Sequence, residues 1–214
     1  EDYLKAIFKL QKREQKVTTL AIAEKMGVSA ASVTGMIKKL AELRLLTHTP
    51  YKGVELTQAG EKIALEVIRH HRLLETYLAE AMGFSWDQVH EEAEKLEHVI
   101  SEEFEEKMDE ALGHPTTDPH GHSIPTKEGV LQEAMDEHLA SMKPGQSGTI
   151  VRVKDENPEL LRYLAALGLF PKVQVTLKEK LPFNGPLRIQ VGSREHILGV
   201  EVAESIYVAL VSEN

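Results

Sequence analysis

The stretch VTTLAIAEKMGVSAASVTGMIKKLAELRLL (residues 17–46) decides how the amino-terminal part of the chain folds. Thr18 or Thr19 can cap a first helix, which Gly27 ends after an apolar stripe. Ser29 can cap a second helix, and its apolar residues recur on one face. The apolar residues of the two helices are Leu20, Ile22, Ala23 and Met26, then Val33, Ile37, Leu40 and Leu43. This order predicts a helix-turn-helix.

The flanking sequence extends this motif to a winged helix-turn-helix over residues 1–57. Residues 2–14 have helical spacing, and LLTHTPYKGVELT (45–57) has two short strand-like runs around a turn at 50–53, which indicates a hairpin. The whole chain of 214 residues has a net charge of −9. Residues 1–57, however, carry ten Lys and Arg against six Asp and Glu. This basic head favours a nucleic-acid partner, with protein binding by the winged helix as the alternative.

A recognition helix presents its first turns to the major groove of double-stranded DNA. The candidates for contacts there are Ser29, Ala31, Ser32 and Thr34. None of them is Arg, Asn or Gln, the residues that make paired hydrogen bonds to bases. Recognition of the DNA sequence would therefore depend on contacts to thymine methyl groups and on DNA shape. The candidates for contacts to the DNA backbone are Lys38, Lys39, Tyr51 and Lys52.

Residues 58–128 form a strongly acidic segment, with seventeen Asp and Glu against six Lys and Arg. One helix is predicted at about 57–82, capped by Thr57 and ended by Gly83. A second is predicted from Ser85 or Asp87 to about Leu112. The segment GHPTTDPHGHSIPTKEG (113–129) is rich in Pro, Gly and His and is predicted to be an ordered loop.

The second of these helices contains HEEAEKLEH (90–98). At 100° per residue its His90, Glu94, Glu97 and His98 fall within an arc of about 100°. The preceding helix offers His71 and Glu75 at i and i+4. Facing helices build metal sites from such groups. The alternative is an ordinary solvated acidic face.

The donors are oxygen and nitrogen, since the chain has no cysteine. Such carboxylate-rich sites suit Mn²⁺ or Fe²⁺, and Zn²⁺, Co²⁺, Ni²⁺ or Cd²⁺ are expected to substitute in vitro. The lack of cysteine also suits a cytoplasmic protein. No apolar run reaches the length of a membrane span, so no membrane partner is expected.

The carboxy-terminal part changes to strand-like alternation. Five strand-like segments and one short helix in residues 143–214 predict a small SH3-like β-barrel, preceded by a linker at 129–142. The predicted fold is therefore mainly α with a β carboxy-terminal part. It comprises a winged helix-turn-helix at 1–57, a helical metal-binding and dimerisation domain at 58–128, and the barrel.

These motifs together resemble the diphtheria-toxin-repressor family of metal-dependent transcriptional repressors, and especially its manganese transport regulators. The resemblance covers essentially the whole chain, through EDYLKAI, SAASVTGMIKKL, RHHRLLE, VHEEAEKLEH, DPHGHSIP and a barrel similar to an iron-transport accessory domain. It implies a repressor activated by Mn²⁺, or alternatively by Fe²⁺, that binds palindromic operators as a homodimer.

The resemblance also implies two metal sites. The primary site would use Asp2, Glu94, Glu97 and His98, and the ancillary site would use His71, Glu75 and His90, with Glu156 and Glu159 from the barrel. Glu94 supports manganese, because the iron-sensing branch has Cys there. Lys5 replaces a Glu of the compact manganese regulators, which favours two separated sites over their binuclear cluster. The resemblance makes the loop with His120 and His122 structural.

A coupling hypothesis follows from these expectations. The apolar face with Leu96, Ile100 and Phe104 would join two subunits, and a cation held by Asp2 and by the acidic helix would fix the DNA-binding head. No small-molecule substrate is expected. The alternatives from other classes are a Mn²⁺- or Zn²⁺-dependent metallohydrolase, for which no separate nucleophile or general-base motif is present, and a transport accessory protein, suggested by the barrel alone.

Overall fold

The computed structural model describes residues 1–14, 16–49, 53–132 and 136–211. It divides into two compact units. The first comprises Glu1–His70, Glu97–Val99 and Pro125–Leu131, and the second comprises His71–Leu96, Ile100–Ile124 and Gln132–Asn214. Tyr51 and Lys52, two of the predicted DNA contacts, lie outside the described residues.

The first unit contains the predicted winged helix-turn-helix. Its elements are α1 (Asp2–Gln11), α2 (Thr19–Met26), α3 (Ala30–Glu42), the antiparallel strands β1 (Leu46–Thr49) and β2 (Gly53–Leu56), and the start of α4 (Gln58–Glu80). Thr18 caps α2, Ser29 caps α3, and Gly27 ends α2 with a φ of 65°. The core of this unit draws on all of these elements; among its residues are Leu4, Ile7, Ile22, Val33, Ile37, Leu46, Val54 and Ala64.

Two apolar residues of the opening motif do not join this core. Leu20 is 71% exposed and Leu43 is 59% exposed. Leu20 lies in the first turn of α2, and Leu43 forms the carboxy-terminal cap of α3. Helix ends often lie outside the buried stripe even when their spacing fits it.

The helices of the second unit correct one prediction. The rest of α4 is followed by α5 (Val89–Leu96) and α6 (Glu102–Ala111), so the single helix predicted up to Leu112 is two helices. The break is at 97–101, where the side chain of Ser101 accepts a hydrogen bond from the backbone N–H of Phe104 and caps α6. Glu97 and His98 therefore follow α5 rather than lying on it.

The β-sheet of the second unit has six antiparallel strands in the described residues, in the order β3-β8-β4-β5-β6-β7. They are β3 (Glu137–His138), β4 (Ser147–Val153), β5 (Gln174–Lys180), β6 (Leu187–Val191), β7 (Arg194–Leu198) and β8 (Ile206–Leu210). The helices α7 (Pro158–Leu167) and α8 (Val200–Ala203) complete it, and α7 is the predicted short helix. β3, which pairs with β8, lies inside the stretch that the sequence assigned to a linker.

The loop around His120 packs tightly on β4. A Cβ atom at Gly121, whose φ is +90°, would lie 1.9 Å from the backbone oxygen of Val151. The backbone N–H of Val153 donates to the carbonyl of His120 at 2.9 Å. Glycine is therefore required here, and the predicted ordered loop is confirmed.

Within the described part of the chain, no single helix has the length and apolarity to cross a membrane. The helices α2 and α3 pass such a test only as a pair bent by 110°.

Candidate metal centre

The first unit brings together three of the predicted primary ligands, which we call the Asp2 cluster (Asp2, Glu97 and His98). Nε2 of His98 lies 2.5 Å from Oδ1 of Asp2 and 3.3 Å from Oε1 of Glu97. The Glu97 side chain is fully buried, whereas those of Asp2 and His98 are partly exposed. The cluster thus combines a fixed carboxylate with two groups that a cation can reach from solvent.

Two further residues of the first unit hold Glu97 in place. Nζ of Lys5 lies 2.8 Å from each carboxylate oxygen of Glu97, and both side chains are buried. Nδ1 of His70 donates to the backbone carbonyl of Glu97 at 3.1 Å. His70 directly precedes the predicted ligand His71 but is not itself among the predicted ligands. The ammonium group of Lys5 at the side chain and the ring N–H of His70 at the backbone carbonyl therefore fix the position of Glu97.

Glu94 belongs to α5 in the second unit, and its carboxylate lies 3.9 Å from Nδ1 of His71. Its expected role as a primary ligand stays a prediction.

The three predicted ancillary ligands form a second group, which we call the Glu75 cluster (His71, Glu75 and His90). Oε1 of Glu75 lies 3.0 Å from Nε2 of His71 and 3.0 Å from Nδ1 of His90, and the two nitrogens are 3.1 Å apart. Glu75 and His71 lie on α4 at i and i+4, and His90 lies on α5. Ligand atoms around an octahedral ion with bonds of about 2.1 Å are about 3.0 Å apart, so the triangle fits a divalent cation.

The charge state of Glu75 suits a ligand. Burial by itself would raise the pKa of Glu75, but the positive potential of His71, the nearby imidazole of His120 and the hydrogen bonds from His71 and His90 hold it well below its usual range. Glu75 is therefore ionised at neutral pH although it is fully buried.

The barrel contributes Asp155 to this region. Oδ2 of Asp155 lies 3.9 Å from Nδ1 of His90 and 3.6 Å from Nδ1 of His122. Glu156 and Glu159, which the resemblance suggested, are both exposed. Their expected role as ancillary ligands stays a prediction, and Asp155, which directly precedes Glu156, is a further candidate that no spacing pattern marks.

The loop residues Asp118, His120 and His122 also face the Glu75 cluster, although the resemblance made this loop structural. Nδ1 of His120 lies 3.7 Å from Oε2 of Glu75, and Nδ1 of His122 lies 3.4 Å from Oδ2 of Asp118. Burial lowers the pKa of His120, but the nearby carboxylates of Glu75, Asp118 and Asp155 outweigh it and raise this pKa to about 9. The HxH spacing of His120 and His122 was the sequence signal that could have pointed to this loop.

The buried polar atoms test whether this region suits a cation. Four of them have no hydrogen-bond partner among the described residues: Glu75 Oε2, Asp118 Oδ2, His120 Nδ1 and His122 Nδ1. Leaving such an atom unpaired costs about 1–3 kcal/mol. A divalent cation satisfies carboxylate oxygens and imidazole nitrogens at once, so the residues fit a bound metal.

The predicted DNA-binding residues on and next to α3 are accessible. Ser29, Ala31, Ser32, Thr34, Lys38 and Lys39 are all exposed. The hydroxyl of Ser29 accepts the backbone N–H of Ser32, and the hydroxyl of Thr34 donates to the carbonyl of Ala30. Because local backbone groups occupy these hydroxyls, the surface of α3 suits methyl and shape recognition more than base-specific hydrogen bonds.

Three family models match successive parts of the chain. The iron-dependent repressor amino-terminal DNA-binding domain matches residues 1–54, and the iron-dependent repressor metal-binding and dimerisation domain matches residues 57–126. The FeoA domain matches residues 137–210.

Individual proteins match over the full length. The chain is 32% identical to the iron-dependent repressor IdeR of Mycobacterium tuberculosis strain H37Rv, over 99% of this chain and 96% of the relative. It is 37% identical to a solved manganese-dependent transcriptional repressor in complex with manganese, with a TM-score of 0.92 over 98% of this chain and 99% of that one. It is also 35% identical to ScaR with bound Zn²⁺, with a TM-score of 0.84 over 98% of both chains.

These matches exclude a transport accessory protein, which the barrel alone suggested. They also lend no support to a metallohydrolase, since the relatives are DNA-binding repressors. Along the chain the matched DNA-binding domain is followed by the metal-binding and dimerisation domain and then by the FeoA domain. The chain belongs to the diphtheria-toxin-repressor family of metal-dependent transcriptional repressors.

Proposed function

We propose that this chain represses transcription in response to Mn²⁺ and regulates metal-ion homeostasis. The observation that carries the proposal is the Asp2 cluster, in which a buried carboxylate, an imidazole and the exposed Asp2 of α1 converge. When bound there, a divalent cation supplies the positive charge that holds these anionic groups together.

Asp2 connects this cluster to the DNA-binding surface. Asp2 is the first residue of α1, and α1 places Leu4 and Ile7 in the core that also holds Val33 and Ile37 of α3. Fixing Asp2 therefore restrains α1, and through that core it restrains α3. Ligand binding that favours one orientation of α3 shifts the population toward the DNA-competent state.

The ligand chemistry supports manganese. Both clusters offer only carboxylate oxygens and imidazole nitrogens, a donor set that suits Mn²⁺. A similar solved structure is described as a manganese-dependent repressor with manganese. Fe²⁺ is the second candidate, favoured by the likeness to the iron-dependent repressor of M. tuberculosis. Zn²⁺, Co²⁺, Ni²⁺ and Cd²⁺ would substitute in vitro, and ScaR structures hold Zn²⁺ and Cd²⁺.

The partner is a double-stranded operator, bound by a homodimer. The match to a metal-binding and dimerisation domain at 57–126 supports self-association. In the second unit Leu96 and Phe104 are partly exposed, which supports the predicted apolar dimer face. A two-fold dimer presents two copies of α3, which suits a palindromic site, and the DNA target supports the cytoplasmic location expected from the sequence.

The test measures DNA binding as a function of metal. Duplexes selected from a random library in the presence of Mn²⁺ are titrated with the full chain, by fluorescence anisotropy, in chelator and in Mn²⁺, Fe²⁺ or Zn²⁺. We expect Mn²⁺ to raise affinity at least 100-fold, and Glu97→Gln and Asp2→Asn to abolish that gain without loss of the dimer.

Glu61→Gln, which removes an exposed acidic residue of α4, is the matched control and should keep the full metal response. Equal affinity in chelator and in every metal would refute metal-dependent repression. A response to Fe²⁺ at lower free concentration than to Mn²⁺ would make iron the activating metal.

A further inference from the structure

The connection between α1 and α2 carries a concentration of positive charge. Four of the ten lysines and arginines in residues 1–57 fall within KLQKREQK (9–16). Three of them, Lys12, Arg13 and Lys16, follow α1 and are exposed, and we call these three residues the basic turn. None of the three is among the DNA contacts that the sequence predicts, which lie on or next to α3 and in the hairpin of β1 and β2, here called the wing.

The end of α1 accounts for part of this charge. Lys12 is the carboxy-terminal cap of α1, and its Nζ lies 5.5 Å from the centroid of the Phe8 ring. The backbone N–H of Arg13 donates to the carbonyl of Leu10 at 2.9 Å, which keeps Arg13 against the same helix end. A cation near the carboxy terminus of a helix interacts favourably with the helix dipole. Lys12 and Arg13 therefore stabilise α1 whether or not they have a second role.

Lys16 has no such local reason for its charge. It lies two residues before Thr18, the amino-terminal cap of α2, where the helix dipole is positive and disfavours a cation. The first turn of α2 contains no acidic residue that would offset this repulsion. The side chain of Lys16 has no ion-pair partner among the residues that the structure describes. Its ammonium group is therefore available to a ligand from outside this part of the chain.

Lys16 lies beside the wing. The backbone N–H of Val54 donates to the carbonyl of Val17 at 2.9 Å, on the edge of β2 that does not pair with β1. A Cβ atom at Gly53, the first residue of β2, would lie 3.1 Å from Cγ of Lys16. Because Gly53 follows the turn of the wing directly, Lys16 is at the turn end of the wing. We call this side, opposite β1, the outer edge of the wing.

This position is on the path of a bound duplex. In a helix-turn-helix the second helix enters the major groove, and the helix before it crosses the sugar-phosphate backbone. Lys16 directly precedes that crossing helix, α2, and also borders the wing. Lys and Arg are common donors to phosphate oxygens, and such contacts position a protein on DNA without reading its sequence.

We propose that Arg13 and Lys16 bind phosphates of double-stranded DNA along the outer edge of the wing, beyond the bases that α3 reads. The guanidinium and ammonium groups donate to phosphate oxygens, and the contact displaces condensed counterions from the duplex. Each DNA-binding head then has a second backbone contact besides Lys38 and Lys39 of α3. The inference rests on the DNA binding of the family and is independent of which metal activates the chain.

The experiment measures how salt weakens DNA binding. The full chain in saturating Mn²⁺ is titrated by fluorescence anisotropy against a random-sequence duplex and against duplexes selected in Mn²⁺, over a range of KCl concentrations. Each lost phosphate contact lowers the slope of log affinity against log salt by about 0.9, so Arg13→Gln with Lys16→Gln should lower it by about 3–4 for a dimer. Affinity at low salt should fall at least about tenfold for every duplex, with an unchanged preference for the selected ones.

Hydroxyl-radical footprinting locates the contact on the duplex. The double variant should lose backbone protection at the outer ends of the protected region and keep the protection between them. Lys16→Arg, which retains the charge, should keep both the salt slope and the full footprint.

Lys172→Gln with Lys178→Gln is the matched control, because it removes two exposed cations from the second unit. It should leave the salt slope unchanged, and far-UV circular dichroism checks that each variant is folded. If Arg13→Gln with Lys16→Gln unfolds, Lys16→Gln alone should still lower the slope by about 2.

An unchanged slope in the basic-turn variants would overturn the inference. So would an equal loss in the control pair, which would assign the effect to net charge, or a loss confined to the selected duplexes, which would assign it to base reading. A lack of metal effect on the affinity of the parent chain would overturn only the proposed function.

Discussion

Lys5 and Glu97 form a buried ion pair, and replacing Lys5 with Met tests what that pair does. The Lys5 Nζ is 2.8 Å from both oxygens of Glu97, and the two side chains are only 8% and 0% exposed. Met keeps the length and apolar stem of Lys but removes the charge. The variant leaves the Glu97 carboxylate buried without its ammonium partner, with Nε2 of His98 at 3.3 Å from Oε1.

The expected loss follows from that burial. Removing one partner of a buried, hydrogen-bonded ion pair costs about 3–5 kcal/mol, because the other charge stays in a medium that solvates it poorly. In metal-free buffer we therefore expect the free energy of unfolding of Lys5→Met to be lower by about this amount. With a urea dependence of about 2 kcal/mol per molar, the midpoint falls by about 2 M.

The assay is urea unfolding followed by far-UV circular dichroism, first in chelator and then in Mn²⁺. Mn²⁺ should stabilise the variant more than the parent chain, because a cation at the Asp2 cluster replaces the missing positive charge. Lys62→Met, an exposed position on α4, is the control and should change stability by less than about 0.5 kcal/mol. Equal midpoints for Lys5→Met and the parent chain in chelator would refute the reasoning. Equal stabilisation of both by Mn²⁺ would show that Lys5 and the cation do not share Glu97.

Three further predictions concern α3 and the loop around His120. Gly35→Ala should raise the free energy of unfolding by about 0.5–1 kcal/mol, because Gly35 is exposed inside α3 with no atom within 4 Å of an added Cβ; denaturant unfolding that showed destabilisation would contradict this. Gly121→Ala should lower the free energy of unfolding by at least about 2 kcal/mol, because its Cβ would collide with the backbone oxygen of Val151; an unchanged midpoint of urea unfolding would argue against it. In chelator, the free energy of unfolding should fall by on the order of 3 kcal/mol as pH rises from 6.5 to about 9. The pKa of His120 is raised to about 9 in the folded chain, whereas an unperturbed histidine has a pKa of about 6.5. The stabilisation by the His120 proton is therefore complete below the unfolded pKa and is lost as pH rises through the folded pKa. His120→Gln should flatten this profile in urea titrations, and a parent profile that is already flat would disprove the effect.

The helix-turn-helix could be predicted because its signals are local. A cap, an apolar stripe and a terminating glycine occur in order within residues 17–46, and each acts on its immediate neighbours. The break between α5 and α6 was missed because the apolar spacing of Leu96, Ile100 and Phe104 runs through it. Ser101 followed by acidic residues was the available signal of a new helix start.

The candidate ligands on helices were easier to predict than the candidates in loops and in the barrel. His71 and Glu75 are one helical turn apart, so spacing alone places them side by side. Glu97 and His98 were selected by a helical projection, although the helix ends at Leu96 and the turn after it brings them to Asp2. Asp155 and His90 are 65 positions apart in the sequence, and tertiary packing brings them together. No periodicity of the sequence indicates such a contact.

Trp86 is the only tryptophan of the chain, and its ring lies against both His120 and Phe170. An indole in contact with an imidazole changes its emission when the charge on that imidazole changes. The protein therefore contains a built-in optical reporter of the His120 ring. Its intrinsic fluorescence should follow changes of charge at His120 in real time, without any attached dye.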